Sequence, residues 1–471
     1  MHKALAAVIA AACVASVCST AEAAPRCTVF RDATVVDVVN GALQTHEDVV
    51  VRGDRIASVR KAGSTHVQGC QTVDAENRFL IPGLVETHVH FRGYSRVGDG
   101  DRDTQDAILR LLLANGVTTA VVMEGTPAVL ELRRELAEGR RTGPALYSAG
   151  RIFQASNTGG LPGRPTFDTP EQVRREIEEE KRLGYDFVKV HGAMPPETYA
   201  ALLETARRLN MPVIGHVPDN LGLQAALDGG QVMIAHAESY LQTYFEFHRE
   251  LPTDPAEIDA MVRDASARTA KAHIYVQPTL SVFRQIITQV AQPDLLLERP
   301  EMKLMPASAI ADWMPPTNPY LKNWTYANLP HFQAEYRVME ALVRGLRDAG
   351  VPLLVGTDAM APMQLPGFSM RDEMEAMQAA GLTPAEVLKA ATYNAARYLK
   401  KDAVSGQVAP GMAADLVLLD ANPLDDTSNA FRQDGVMLHG TWHPEAELQR
   451  ELWSKAPAAR STSTENQPSS H

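Results

Sequence analysis

Two histidines separated by one residue, His88 and His90, close an apolar run in "FLIPGLVETHVHFRG", Phe79 to Gly93. Side chains alternate faces along a strand, so both imidazoles point the same way. At the end of a buried strand each needs a partner, and one divalent cation satisfies two neutral imidazoles. The pair alone is a common spacing and a weak sign. Four further residues repeat the circumstance. Lys189 lies inside "DFVKVHG", where an ammonium is costly to bury. His216 closes the apolar part of "PVIGHVP", His236 that of "VMIAHAES", and Asp358 that of "PLLVGTDAM". Taken singly, these are a snorkelling lysine, hydrogen-bonded core histidines and a helix-capping aspartate. Taken together, at the ends of successive apolar runs, they point to metal-assisted chemistry.

Such convergence needs a frame that delivers strand ends to one place. From Leu84 onward apolar runs alternate with helical stretches: "GLVETHVHF", "VTTAVVME", "PALYSAGRIF", "DFVKVHG", "PVIGHVP", "VMIAHAES", "HIYVQPTL" and "PLLVGTDAM". Between them lie segments such as "TPEQVRREIEEEKRLG", where Thr169 caps, Pro170 takes the first helical position and Glu171 sits in the first turn. Strands alternating with helices imply parallel βαβ units, and eight of them predict an α/β fold, a closed (β/α)8 barrel. In that barrel the named residues sit at the C-terminal ends of strands, where barrel enzymes place their sites. Helices are expected over Met370 to Ala380 and Pro384 to Leu399. Residues 27–80 read as short strands with turns, and "SGQVAPGMAADLVLLDANP" with "GVMLHGTW" returns to that pattern. Both chain ends therefore build one small composite β-sandwich beside the barrel. The segment Phe283 to Asn328, rich in Pro and Met and holding Trp313 and Trp324, interrupts the spacing before the eighth strand. An insertion on such a loop is expected to form a cap or pocket wall.

The chain has 471 residues and a formal charge of −12, with no basic run, which argues against nucleic acid or an anionic membrane as partner. It opens on a basic residue, an apolar stretch and Ala21-Glu22-Ala23, the pattern of a secretory signal peptide over 1–23. The apolar stretch is too short for a spanning helix. The expected compartment is the periplasm or the exterior. Of four cysteines, Cys27 and Cys70 remain beyond that leader; in an oxidising compartment they invite a disulfide, the alternative being two free thiols. The expected division is β-module 24–80, barrel 81–402, β-module 403–445 and a C-terminal tail 446–471 whose polar end is disordered.

The phrases "IPGLVETHVH", "ATYNAARYL", "GQVAPGMAADLVLLDANP" and "LHGTW", with the six strand-end residues, resemble the metal-dependent amidohydrolase superfamily. The resemblance covers essentially the whole mature chain and is closest to the imidazolonepropionase-related and Xaa-Pro dipeptidase-like branch. It implies two divalent metal ions, with zinc the expected metal. His88, His90 and Asp358 would hold one and His216 and His236 the other. Lys189, carboxylated on its Nζ to a carbamate, would bridge them. Carbamylation turns a buried cation into an anion and so removes the burial problem. Asp358 would move the proton from water to the leaving amine.

The implied substrate is a small amide, a dipeptide or an N-acyl amino acid. His191 shares a strand face with Lys189, and Tyr240 follows His236 closely enough to polarise a carbonyl. Arg151, at the end of the third strand, and Arg371, in "PGFSMRDEME", are candidates to pair with a substrate carboxylate. "NTGGLPG" at Asn157 to Gly163 lacks the histidine of the "TGGHG"-like segment carried by dipeptidase relatives, which puts a strict dipeptidase in doubt. Lactone, ester or organophosphate hydrolysis at the same site, and an inactive binding barrel, stand as alternatives. A homo-oligomer fits the resemblance, although no interface is visible in the sequence.

Overall fold

The computed structural model describes residues 27–64, 68–91, 101–156 and 164–456. The expected leader at 1–23, the segment Asn157 to Gly163 and the polar end of the tail lie outside the described residues.

Both chain ends contribute to one mixed sheet. Cys27–Asp37 pairs antiparallel with Ala42–Arg52, which pairs with Arg55–Lys61. Its other edge takes Gln71–Asp74 and Phe79–Pro82 in parallel. Leu416–Leu419 then lies antiparallel to Phe79–Pro82, followed by Gln433–Leu438 and Thr441–Pro444. Side-chain alternation explains how this sheet attaches to the rest. Leu416 and Leu418 pack with Phe30, Val49, Val51 and Leu80 inside the sheet's own core, whereas Val417 and Leu419 belong to the barrel's core. A strand buried on both faces must be apolar throughout, and "LVLL" is. Cys27 and Cys70 are joined by a disulfide, pinning the start of the first strand beside Gln71–Asp74.

The barrel follows the expected order. Leu84–Val89, Val117–Val122, Ala145–Phe153, Phe187–Val190, Val213–Gly215, Met233–Ala235 and Tyr275–Gln277 form consecutive parallel neighbours. The eighth segment differs from expectation. It forms no regular strand and closes the barrel through two isolated parallel bridges, Leu353 to Val276 and Ala359 to Val89. Asp358 has φ of 53°, which is not a strand conformation. Side chains of the first strand add to the few backbone bonds there, Thr87 N to Val355 O (3.1 Å) and His90 N to Ala359 O (2.7 Å). Glu86 accepts from Thr357 N (3.1 Å) and Thr357 Oγ1 (2.7 Å), and Thr87 Oγ1 donates to Val355 O at 2.7 Å.

The capping signals hold for the helix Pro170–Leu183, where Thr169 and Gln172 form a reciprocal capping box and Gly184 ends it in the left-handed conformation. The expected helix Pro384 to Leu399 is two helices, Pro384–Ala391 and Tyr393–Tyr398, broken at Thr392. The Thr392 hydroxyl donates to Leu388 O at 2.6 Å, a local bond that competes with the helical ladder. The expected tail begins with a helix, Glu445–Ser454, which buries Leu448 and Leu452 against the barrel's core. The insertion before the last segment is helical and lies over the C-terminal mouth of the barrel. It begins with Leu280–Ala291, whose first amides, Leu280 N and Ser281 N, donate to the buried Glu373 carboxylate (3.0 and 2.6 Å). No helix among the described residues is long and apolar enough to cross a membrane.

Candidate active site

Four strand ends and the closing segment bring His88, His90, Lys189, His191, His216, His236 and Asp358 to one cavity of about 320 Å³. The imidazoles form an unbroken arc. Ring centroids are 5.4 Å apart from His90 to His88, 5.0 Å to His236, 4.5 Å to His216 and 4.2 Å to His191. Asp358 Oδ1 lies 2.9 Å from His90 Nε2 and 3.2 Å from His88 Nε2. Ligand atoms of His88, His90 and Asp358 all lie within 4.8 Å of one another, as a single ion requires.

Local backbone geometry aims these groups. His236 and Asp358 both adopt positive φ, 68° and 53°, which turns each side chain off its segment and into the cavity. Such conformations cost about 1–3 kcal/mol each and persist where surroundings enforce them. His236 is held by Thr279, whose Oγ1 lies 2.6 Å from its Nδ1. His88 Nδ1 lies 2.7 Å from Gln277 Oε1, and Gln277 Nε2 in turn donates to Thr87 Oγ1. These partners fix the tautomer so that His88 presents Nε2 to the cavity. Glu86, fully buried, accepts from His88 N at 2.8 Å; burial pushes its carboxyl up to about 8. Lys189 is 1% exposed. Its stem passes Gly215, where a Cβ would fall 2.7 Å from Lys189 Cδ and 2.4 Å from Val190 O.

Electrostatics favour a cation-binding state. Burial pushes His88 down and holds His216 and His236 well below the ordinary histidine range, so all three are neutral donors at neutral pH. Burial also brings His191 down to about 4. For Asp358 burial acts upward, but its close interactions with His88 and His90 outweigh it, and the carboxyl stays ionised well below its usual range. His216 Nδ1 is buried and has no hydrogen-bond partner among the described residues. Neutral imidazoles, an ionised carboxylate and an orphaned ring nitrogen fit divalent cations of the zinc type.

Three of the four residues expected to touch substrate lie elsewhere. Ile152 lines the cavity, so its strand neighbour Arg151 faces outward, half exposed, 3.3 Å from Glu176. Arg371 sits on the outer face of Phe368–Ala379, paired with Glu375 at 3.6 Å, because Met370, Met374 and Met377 take the inner face. Tyr240 is fully buried in the core, its hydroxyl 3.0 Å from Thr269 Oγ1; two positions earlier on the same helix, Glu238 takes the cavity side. His191 does line the cavity. Residues the sequence reading passed over are Glu86, Glu124, Arg164, Glu238, Gln277 and Thr279. Gln277 and Thr279 were signalled by polar residues at the end of "YVQPT"; Arg164 had no signal beyond its residue type.

The chain matches the model of the amidohydrolase family over residues 79–443. It belongs to the amidohydrolase family. This amidohydrolase is thus a hydrolase acting on carbon–nitrogen bonds, in a family that is generally metal-dependent. Among curated relatives, ochratoxinase of Aspergillus niger is 25% identical over 412 residues, spanning 76% of this chain and 74% of that one. Among solved structures, a bottromycin amidohydrolase superposes with a TM-score of 0.71 at 25% identity, over 91% of this chain and 89% of that one. A Xaa-Pro dipeptidase crystallised with methionine shares the fold, with a TM-score of 0.68 at 18% identity over 89% of this chain and 100% of that one.

Proposed function

We propose that this amidohydrolase is a secreted or periplasmic binuclear enzyme that cleaves the amide bond of a dipeptide or N-acyl amino acid. The observation that carries the reading is the convergence of His88, His90, Lys189, His216, His236 and Asp358 on one cavity. His88, His90 and Asp358 would hold one ion, His216 and His236 the other, with Lys189, carboxylated on Nζ, between them. Zinc is the proposed metal. Bound there, the ions supply Lewis-acid polarisation of the amide carbonyl and lower the pKa of a water. Every other step belongs to the chain. Asp358, ionised and held by two imidazoles, accepts the proton of the attacking water and returns it to the amide nitrogen as the C–N bond breaks. Gln277 and Thr279 keep His88 and His236 in one orientation through that cycle. The buried arc and the insertion helices exclude bulk water, which strengthens each of these interactions.

The compartment is supported by the leader pattern at 1–23 and by the Cys27–Cys70 disulfide, a bond that persists in oxidising surroundings.

The test is a screen of the mature chain, loaded with zinc and bicarbonate, against dipeptides and N-acyl amino acids, following free amine by mass spectrometry. Release that disappears in Lys189→Ala is expected. Metal-loaded protein that releases amine from none of them, yet opens lactones, esters or phosphotriesters, would overturn the reading.

A further inference from the structure

The cavity is chemically lopsided. One side is an apolar wall supplied by the insertion and the helix after it, with Phe283, Ile286, Trp324, Phe332 and Met339 facing inward. Trp324 stacks on Tyr320 with centroids 5.4 Å apart and meets Phe332 edge-on at 4.8 Å, so the wall is a fixed aromatic corner. Two carboxylates, Glu238 and Glu335, stand in the cavity with it, Glu335 lying between Phe332 and Met339 on one helix face. Neither offers an anionic group a cationic partner.

Elsewhere in the same cavity stands Arg164, whose side chain is 12% exposed. Its guanidinium grips Glu124 through Nε and through Nη2, the latter 2.6 Å from Oε2. Glu124 follows the second barrel strand, and its Oε2 lies 3.9 Å from His90 Nδ1. The fork on Glu124 fixes the guanidinium plane, which lowers the ordering cost of any further bond. Nη1 makes no hydrogen bond to the described residues, leaving two N–H donors for a ligand. A tethered arginine with donors to spare is suited to a carboxylate.

Resting on the amide-hydrolase reading above, we infer that the substrate carries a carboxylate bound by Arg164 and a bulky apolar or aromatic group seated against Phe283, Trp324 and Phe332. This chain then selects N-acylated apolar amino acids over amides that lack a carboxylate or carry only small groups. Arg164 takes the role that sequence position suggested for Arg151 and Arg371.

The test compares N-benzoylphenylalanine with N-benzoylphenethylamine, its counterpart without the carboxylate, on the zinc-loaded chain. Wild type is expected to favour the acid by roughly 10–100-fold in kcat/KM, the range of a charge-assisted bond. Arg164→Gln should bring that ratio close to one, and Arg164→Lys should restore part of it. Trp324→Ala should narrow the preference for N-benzoylphenylalanine over N-benzoylalanine. A wild-type ratio near one overturns the inference while leaving amide hydrolysis standing, and this result needs no variant to fold. A ratio unchanged in metal-loaded Arg164→Gln overturns it equally. Hydrolysis of no amide at all by metal-loaded wild type defeats the underlying reading, and the inference falls with it.

Discussion

His90 Nε2 lies 2.9 Å from Asp358 Oδ1, across the seam where the last barrel segment meets the first strand. The seam is held by few backbone bonds, so the side chains of Glu86, Thr87 and Thr357 help set the position of the Asp358 carboxylate. Asp358→Asn preserves shape and removes the proton acceptor. Its kcat/KM for amide cleavage should fall by about 10²–10⁴-fold, with the circular dichroism spectrum unchanged. Turnover within tenfold of wild type would remove Asp358 from the mechanism.

Lys189 and Gly215 form a second pair with a testable link. Gly215 has φ of 113°, and a Cβ there meets Val190 O at 2.4 Å. Gly215→Ala should therefore destabilise by a few kcal/mol, of order 2–4, and displace the Lys189 stem. Thermal unfolding and bound metal per chain would both drop. Lys189→Ala should lose metal and activity, yet the metal-free variant should keep the thermal stability of the metal-free wild type, in which the uncarboxylated side chain is a buried cation.

Gln277 touches no substrate in this account; it orients His88 through a 2.7 Å bond. Gln277→Ala should weaken metal affinity by about 10–100-fold, measured by competition with a chelator. Activity at saturating metal should recover in large part. An affinity unchanged by the substitution would show that the His88 tautomer needs no help from Gln277.

The metal-free protein should be acid-sensitive. Burial lowers His191 to about 4 and lowers His88, His216 and His236 as well. A group with a depressed folded pKa contributes stability that is complete above its unfolded value, near 6.5, and lost as pH falls through the folded value. His191 alone corresponds to a loss of roughly 3 kcal/mol between about pH 6.5 and 4. Glu86 acts in the opposite sense: raised to about 8 by burial, its contribution is complete below about 4.5 and lost as pH rises through 8. Thermal unfolding of chelated protein across pH 4–9 should show both flanks. A flat acid flank would mean that the histidines are not held neutral by the fold.

Much of the frame was legible because periodicity and strand-end polarity report burial directly. His88, His90, Lys189, His216, His236 and Asp358 each stand where an apolar run ends, and the fold draws such ends together. The composite sheet was legible because strand-like text with turns, read over residues 27–80, returns in "SGQVAPGMAADLVLLDANP" and "GVMLHGTW". What stayed hidden depended on direction rather than type. Arg151 and Ile152 are adjacent, and only strand register decides which enters the cavity. Tyr240 and Glu238 differ by two helical positions, enough to exchange core and cavity. The eighth strand read as regular because its apolar run is ordinary; the turn at Asp358 and the side-chain bonds from Glu86 leave no period in the sequence. Arg164 carries no periodic signal at all, since it is placed by its pairing with Glu124.

The central claim is that the imidazole arc, Lys189 and Asp358 hold a binuclear centre that cleaves amides. The most direct measurement titrates zinc into the chelated chain, in the presence of bicarbonate, while amine release from an N-acyl amino acid is followed. The account predicts no release without metal and a rise that saturates at two ions per chain. Full activity in the chelated protein, or saturation of both sites without amine release from any amide, would contradict it.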